Sequence, residues 1–185
     1  MRLLLALAIL AFSPTIAFAH TGLGDTAGFI HGLEHPIGGI DHVLAMVAAG
    51  VFAFILGGRA LWLVPLSFVG MMIVGFILGI DRVDVPFVEL GIALSSVVIG
   101  AAATLGRPMP AGLAMSLVGI FAIFHGHAHG AEMPETAAGL TYALGFVVAT
   151  ALLQATGILA AFGAAGIIGR HGKIAARIAG GTFAL

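Results

Sequence analysis

The chain has 185 residues, of which 61% are hydrophobic and only 8% are charged. A soluble domain carries about 25% charged residues, so this composition indicates a protein embedded in a membrane. The formal net charge of −1 provides no basic surface for nucleic acid, and the absence of cysteine excludes disulfides, thiolate metal sites and a cysteine nucleophile. Eight histidines stand out against seven lysines and arginines, and most of them fall in two short stretches.

Residues 1–19 have the pattern of a secretory signal peptide. They begin with a basic residue, continue with an apolar run over residues 3–12 and end in Ala-Phe-Ala. This order predicts cleavage after Ala19, and a short transmembrane helix is the alternative. Cleavage would leave residues 20–185 as a single mature domain, with His20 at its N-terminus outside the cytoplasm.

The mature chain offers several apolar stretches long enough to cross a bilayer, which takes about 20 helical residues. Predicted spans cover residues 37–57, 60–80, 87–105 and 110–130, and a fifth begins near Thr136. No residue from 136 to 169 is charged, and as one helix this stretch would be about 51 Å long, too long for an upright span. We therefore expect a span to about Gly157 that continues as a glycine-broken helix towards Arg170. The tail at 174–185 either begins a sixth span or lies at the interface, so the predicted fold is an all-α bundle of five or six spans.

Glycine spacing predicts close packing between two of these spans. Gly75 and Gly79 in the second span, and Gly126 and Gly130 in the fourth, have the small-xxx-small separation. Small residues at this spacing let two helix backbones approach each other inside a membrane.

The loop charges predict the orientation of the bundle. With the mature N-terminus outside, the inner side receives Arg59, Arg107, Arg170, Lys173 and Arg177, and the outer side receives only Arg82. This distribution follows the positive-inside rule and predicts a multi-pass protein of the bacterial inner membrane with a periplasmic N-terminus. All eight acidic residues fall on the outer side, where they could concentrate cations, although simple exclusion from the inner side explains them equally well.

The first polar cluster runs from residue 31 to residue 42 and leads into the first span. If it is helical, His35 and His42 share a face and His31 lies one turn above His35. A proline and two adjacent glycines inside the stretch argue against an unbroken helix. Asp41 and His42 fall within the outer leaflet, where an ionisable side chain is costly and is therefore a functional candidate.

The second polar cluster ends the fourth span. His125 and His129 are four residues apart and Glu132 follows three residues later, so these side chains stack on one helical face, while His127 points elsewhere. In the predicted orientation this end of the fourth span lies on the outer side, level with the start of the first span. The two clusters are therefore expected to meet at the same depth.

Imidazoles with one or two carboxylates and no thiolate suit a divalent ion such as Ni²⁺, Co²⁺, Zn²⁺ or Cu²⁺. A single buried histidine is more often a packed core residue, but a whole constellation of unpaired polar groups is expensive in hydrocarbon and favours a metal site. The predicted ligands are His35, Asp41, His42, His125 and His129, and Glu132 is a ligand, an acceptor that orients a histidine or a charge at the entrance. Accessory roles stay open for His20, His31, Glu34 and His127.

These two clusters resemble the signature motifs of the HupE/UreJ nickel permeases. The resemblance rests on H-x₅-DH at residues 35–42 and on FHGHAHGAE at residues 124–132, and it extends over essentially the whole chain. It implies a secondary transporter that imports Ni²⁺, with Co²⁺ as a further cargo, for the maturation of hydrogenase or urease, and makes residues 20–185 a transmembrane metal-transport domain. It also implies that His35, Asp41, His42, His125, His129 and Glu132 are needed for transport. The family usually has a full sixth mature helix, and the C-terminal region is where this chain departs from that pattern.

The resulting interpretation is a transporter without enzymatic activity and without a prosthetic group, driven by an ion gradient or the membrane potential, since no nucleotide-binding motif is present. Its partners would be the divalent metal ion and the lipid bilayer, with a homo-oligomer as an open option and nickel-enzyme maturation proteins served indirectly. The main alternative is an intramembrane zinc-dependent hydrolase that uses the same residues. No serine lies beside either cluster in the sequence, which counts against it. A haem-b electron carrier and a metal sensor without flux are further alternatives.

Overall fold

The computed structural model describes residues 28–133 and 139–168, and every regular element in this part of the chain is an α-helix. The helices are α1 (Phe29–Gly38), α2 (Ile40–Leu56), α3 (Ala60–Ile80), α4 (Val88–Leu105), α5 (Ala111–Ala131) and α6 (Gly139–Ile168). Four of them, α3 to α6, are long and apolar enough to cross a membrane, and α1 with α2 adds a fifth if this bent pair is one span. The predicted all-α bundle is confirmed, and three predicted spans coincide with α3, α4 and α5 to within one residue at each end.

Several predictions from the sequence fall on residues outside the described ranges. They concern the signal peptide at 1–19, His20 at the mature N-terminus, and the tail at 174–185.

The first predicted span is divided at Gly39. Its backbone is extended (φ −98°, ψ 117°), and the axes of α1 and α2 meet at 87°. Consecutive glycines at 38 and 39 lower the helix propensity of this segment, which permits the break. His35 and His42 therefore lie on two different helices, and the interruption that the proline and glycines of this stretch predicted is confirmed.

The last described helix is continuous. α6 runs unbroken through 30 residues, so the expected glycine break after Gly157 is wrong. A side chain at Gly157 would overlap the backbone carbonyl of Val47 in α2, and one at Gly50 would overlap the carbonyl of Gln154 in α6. These glycines serve the close approach of α2 and α6, which offsets the roughly 1 kcal/mol that glycine costs inside a helix.

The predicted glycine packing between α3 and α5 is confirmed. A Cβ atom on Gly75 or Gly79 would overlap backbone atoms of α5, and one on Gly126 or Gly130 would overlap backbone atoms of α3. Contacts advance along both helices in the same direction, so α3 and α5 run parallel with their backbones touching. We call this contact the glycine seam.

Charged side chains in the described ranges are sorted between the two ends of the bundle. Arg59 and Arg107 lie where α3 begins and α4 ends. The opposite end carries Arg82 together with Glu34, Asp41, Asp81, Asp84, Glu89 and Glu132. We refer to these as the basic end and the acidic end.

Candidate metal centre

Four histidine rings form a continuous row at the acidic end. The ring centroids of His35 and His129 are 4.9 Å apart, those of His129 and His42 are 5.0 Å apart, and those of His42 and His125 are 4.6 Å apart. The rings come from α1, α2 and α5, so the two polar clusters of the sequence meet at one depth, as expected. We call these four residues the histidine row.

The break before α2 places Asp41 and His42 at a helix start. The carboxylate oxygen Oδ1 of Asp41 accepts a hydrogen bond from the backbone N–H of His42 at 2.9 Å and lies 3.1 Å from Nδ1 of the same imidazole. A side chain at Gly39 would press on both groups, with a Cβ atom only 3.0 Å from each. Because Asp41 is an acceptor, it favours the proton on Nδ1 and leaves the lone pair on Nε2 of His42. That Nε2 atom is buried and makes no hydrogen bond to any described residue.

His125 is held in the opposite way by Ser95 of α4. The Ser95 hydroxyl lies 2.5 Å from the carbonyl oxygen of Ile92 and 2.8 Å from Nε2 of His125. A hydroxyl has a single proton, so when Ser95 donates it to Ile92 its oxygen accepts the Nε2–H of His125. The lone pair of His125 then lies on Nδ1, which is buried without a hydrogen-bond partner among the described residues.

His129 occupies the middle of the histidine row. It contacts the rings of His35 and His42 on one side and stacks on Phe146 of α6, with centroids 5.1 Å apart and planes 10° apart. The side chain is fully buried, and neither of its ring nitrogens has a hydrogen-bond partner within residues 28–133 and 139–168. A buried polar atom without a partner costs about 1–3 kcal/mol, so His129 is poorly explained as a packing residue.

His35 connects the row to the surface through Glu132. The Nε2 atom of His35 lies 3.2 Å from a carboxylate oxygen of Glu132, and the side chains are 16% and 47% exposed, whereas His129 is 0% exposed. His31, one turn earlier on α1, stands edge to face with His35 at 6.2 Å and with Tyr142 at 5.7 Å. Exposure therefore decreases from Glu132 through His35 to His129, while His42, the next ring in the row, is again 14% exposed.

Two candidate accessory residues are placed away from the row. Nε2 of His127 lies 2.8 Å from the carbonyl oxygen of Val83, so this side chain contacts the segment between α3 and α4, in keeping with the expectation that it points elsewhere. Glu34 is exposed on α1. The contact of His127 and the exposed position of Glu34 therefore do not link either residue to the histidine row.

The row is not a finished coordination site. Its rings stand edge to face or tilted, and in the described ranges no group of three or more histidine, aspartate or glutamate side chains is arranged to hold a metal ion as it stands. Nε2 of His42 and Nδ1 of His125 nevertheless have no hydrogen-bond partner among residues 28–133 and 139–168, so rotation of side chains is the change that metal binding would require.

Ser95 and Phe146 are site residues that the sequence analysis missed. No serine lies beside either cluster in the sequence, but in the folded protein Ser95 contacts His125 across the interface of α4 and α5. A signal was present in the sequence, since Ser95 and Ser96 are adjacent hydroxyls in the middle of an otherwise apolar span. Phe146 carried no such signal among the many apolar residues of α6.

Comparison of the sequence with known proteins identifies a family for this chain. The family model described as HupE / UreJ protein matches residues 7–185. The chain is also 43% identical over 172 residues to Protein HupE of Rhizobium leguminosarum bv. viciae, a match that covers 93% of this chain and 88% of the relative. No solved structure matches significantly. With a family match over nearly its full length and this close relative, the chain belongs to the HupE/UreJ family of membrane proteins.

Proposed function

We propose that this protein is a secondary transporter that imports Ni²⁺ across the bacterial inner membrane, with Co²⁺ and Zn²⁺ as further candidate cargoes. The family is associated with nickel and cobalt transport. The observation that supports this function best is the histidine row, whose buried nitrogens on His42, His125 and His129 have no hydrogen-bond partners in the described ranges. Imidazole nitrogens are good ligands for these cations, and a bound cation would satisfy atoms that are otherwise costly to bury.

The partly exposed side chains of the site support entry of a cation from the acidic end. Carboxylates at the acidic end would attract a hydrated cation. The partly exposed pairs Glu132 with His35 and Asp41 with His42 would receive it before the fully buried His125 and His129. The cation would then exchange its water ligands for imidazole nitrogens. These are Nε2 of His42, Nδ1 of His125 and the ring nitrogens of His129. Asp41 and Ser95 would act through His42 and His125 by fixing which ring nitrogen carries the lone pair.

The membrane orientation forms part of this proposal. A periplasmic mature N-terminus would place the acidic end outside and the basic end, with Arg59 and Arg107, in the cytoplasm. A membrane potential that is negative inside would then favour inward movement of a divalent cation. Delivered nickel would serve metalloenzyme maturation, without a prosthetic group in the transporter itself and without catalysis by it.

The experiment is accumulation of radioactive nickel in cells that express the wild-type chain, Asp41→Asn, His42→Ala or the control Ser96→Ala at matched membrane levels. Ser96 bonds only the carbonyl of Ala93 within its own helix among the contacts seen for its hydroxyl. We expect uptake by wild type and Ser96→Ala, loss of uptake in both site variants, and competition by Co²⁺ but not by Mg²⁺.

Two results would oppose the proposal in different ways. Wild-type uptake that persists in His42→Ala would remove the histidine row from the path. Absence of uptake in wild type, with Zn²⁺ bound to the purified protein, would instead favour the zinc-dependent hydrolase.

A further inference from the structure

Unpartnered buried polar atoms are rare in the described ranges, and they mark two places. They belong to five residues, His42, His125, His129, Tyr142 and Gln154. The first three form the histidine row, and Tyr142 contacts His31 and His35. Gln154 is separate from that group, although it is only 1% exposed and both its Oε1 and its Nε2 lack a hydrogen-bond partner in this part of the protein. An amide in this state is costly in an apolar interior, so its position calls for a ligand.

The position of Gln154 relates it to the histidine row. Tyr142, Phe146, Thr150 and Gln154 follow at intervals of four residues on α6, and all are at most 1% exposed. They therefore share one buried face of the helix. Phe146 stacks on His129, which fixes where this face meets the row. Gln154 comes eight residues later, about 12 Å further towards the basic end.

The neighbouring donors suit the same kind of cation. The Thr150 hydroxyl donates to the thioether sulfur of Met72 in α3 at 3.5 Å, which leaves the lone pairs of its oxygen available. One turn later, the carboxamide oxygen of Gln154 adds a second neutral oxygen on the same face. Neutral oxygen and thioether donors bind a divalent cation more weakly than a group of imidazoles, which favours passage over retention.

We propose that Gln154, together with Thr150 and Met72, forms a second binding station for a borderline divalent cation moving from the histidine row towards the basic end. The inference rests on the proposed transport function and deepens it by assigning the inward half of the path. A hydrocarbon core is about 30 Å thick, and a polar amide about 12 Å inward of the histidine row would lower the cost of a cation in the inner part of this path.

The experiment measures the rate and the concentration dependence of nickel uptake, together with nickel binding by the purified protein. Gln154→Leu replaces the amide by an apolar side chain of similar size, so it removes the unpaired atoms without opening a cavity. We expect a maximal uptake rate lowered roughly tenfold, with the half-saturating concentration and the affinity of the purified protein unchanged. The control is Thr156→Val on the same helix, because Thr156 is exposed and bonds the carbonyl of Leu152.

Uptake by Gln154→Leu equal to that of wild type would overturn this inference, as would an equal loss in Thr156→Val. If Gln154→Leu fails to accumulate in the membrane, Thr150→Val removes a donor at nearly constant shape, and an unchanged uptake rate in that variant would overturn it too. Failure of the proposed function itself looks different, because the wild-type chain would then show no uptake at all.

Discussion

Two faces of α5 lie side by side, and they differ in how their residues interact with the neighbouring helices. Gly126 and Gly130 face α3, where any side chain would collide with backbone atoms. His125 and His129 face the histidine row, where three of their four ring nitrogens have no hydrogen-bond partner within the described ranges. The glycine face is closely packed against α3, whereas most ring nitrogens of the histidine face lack a partner in the part of the chain that the structure describes.

The difference shows how a membrane helix can hold costly groups in place. Backbone contact along the glycine seam fixes α5 against α3, so the adjacent histidines are positioned by the main chain. Unsatisfied imidazoles reduce stability, and the seam supplies packing that offsets this cost. Substitutions on the two faces should therefore separate stability from transport.

The largest effect on transport is expected from His129→Leu. The change removes both unpartnered nitrogens from the middle of the row, so nickel uptake should fall at least about 100-fold. Thermal stability of the detergent-purified protein should be retained or increased, because an apolar side chain replaces buried polar atoms. Uptake and melting temperature measured on the same preparations check this. Loss of stability together with uptake would show that His129 is a packing residue.

Gly126→Ala should disrupt the packing of α5 against α3 along the glycine seam. Its Cβ would overlap the carbonyl of Met72, so α3 and α5 must separate and the protein should lose about 3 kcal/mol of stability. The matched control is Gly112→Ala on the same helix, since a Cβ there meets nothing within 4 Å. Equal melting temperatures for the two variants would contradict the account of the seam.

Ser95→Ala tests whether Ser95 fixes the ring nitrogen of His125 that carries the lone pair. Without the hydroxyl, Nε2 of His125 loses its acceptor and the lone pair is no longer confined to Nδ1, so nickel affinity should fall about tenfold. Ser95→Thr, which retains a hydroxyl, should restore part of the affinity, and Ser96→Ala should leave it unchanged. Titration of the purified proteins with Ni²⁺ measures this, and equal affinities for Ser95→Ala and Ser96→Ala would reject the positioning role.

The smallest effect is expected at the entrance. Glu132→Gln removes a charge from the exposed end of the site and so weakens the attraction of cations. The half-saturating nickel concentration should therefore rise roughly threefold at low salt. The effect should shrink as ionic strength increases. A lowered maximal rate with unchanged half-saturation would instead indicate that Glu132 takes part in a later step.

The sequence predicts the spans and the depth of the histidines because both depend on local composition. Long apolar runs define α3, α4 and α5, and the spacing of His125 and His129 defines one face of α5. What escaped prediction depends on tertiary contact. The contact of Ser95 with His125 joins residues thirty positions apart, and no periodicity within either helix encodes it.

The two glycine-containing segments at which the sequence suggested a break have opposite outcomes in the structure. Glycines in α6 suggested a break when considered along the chain, yet Gly157 is where α2 packs against it and the helix continues. At Gly39 the helix does break, and the 87° bend brings His35 and His42 to the same partner, His129. Glycine lowers helix propensity in both places, and the neighbouring helix decides the outcome.

The central claim is that the buried imidazoles bind the transported cation together, and X-ray absorption spectroscopy of Ni²⁺ bound to the purified protein tests it most directly. The account predicts several imidazole nitrogens around the metal in wild type and fewer in His42→Ala, with the spectrum of Ser96→Ala unchanged. A shell made of oxygen ligands alone, or the same nitrogen ligation in wild type and His42→Ala, would contradict it.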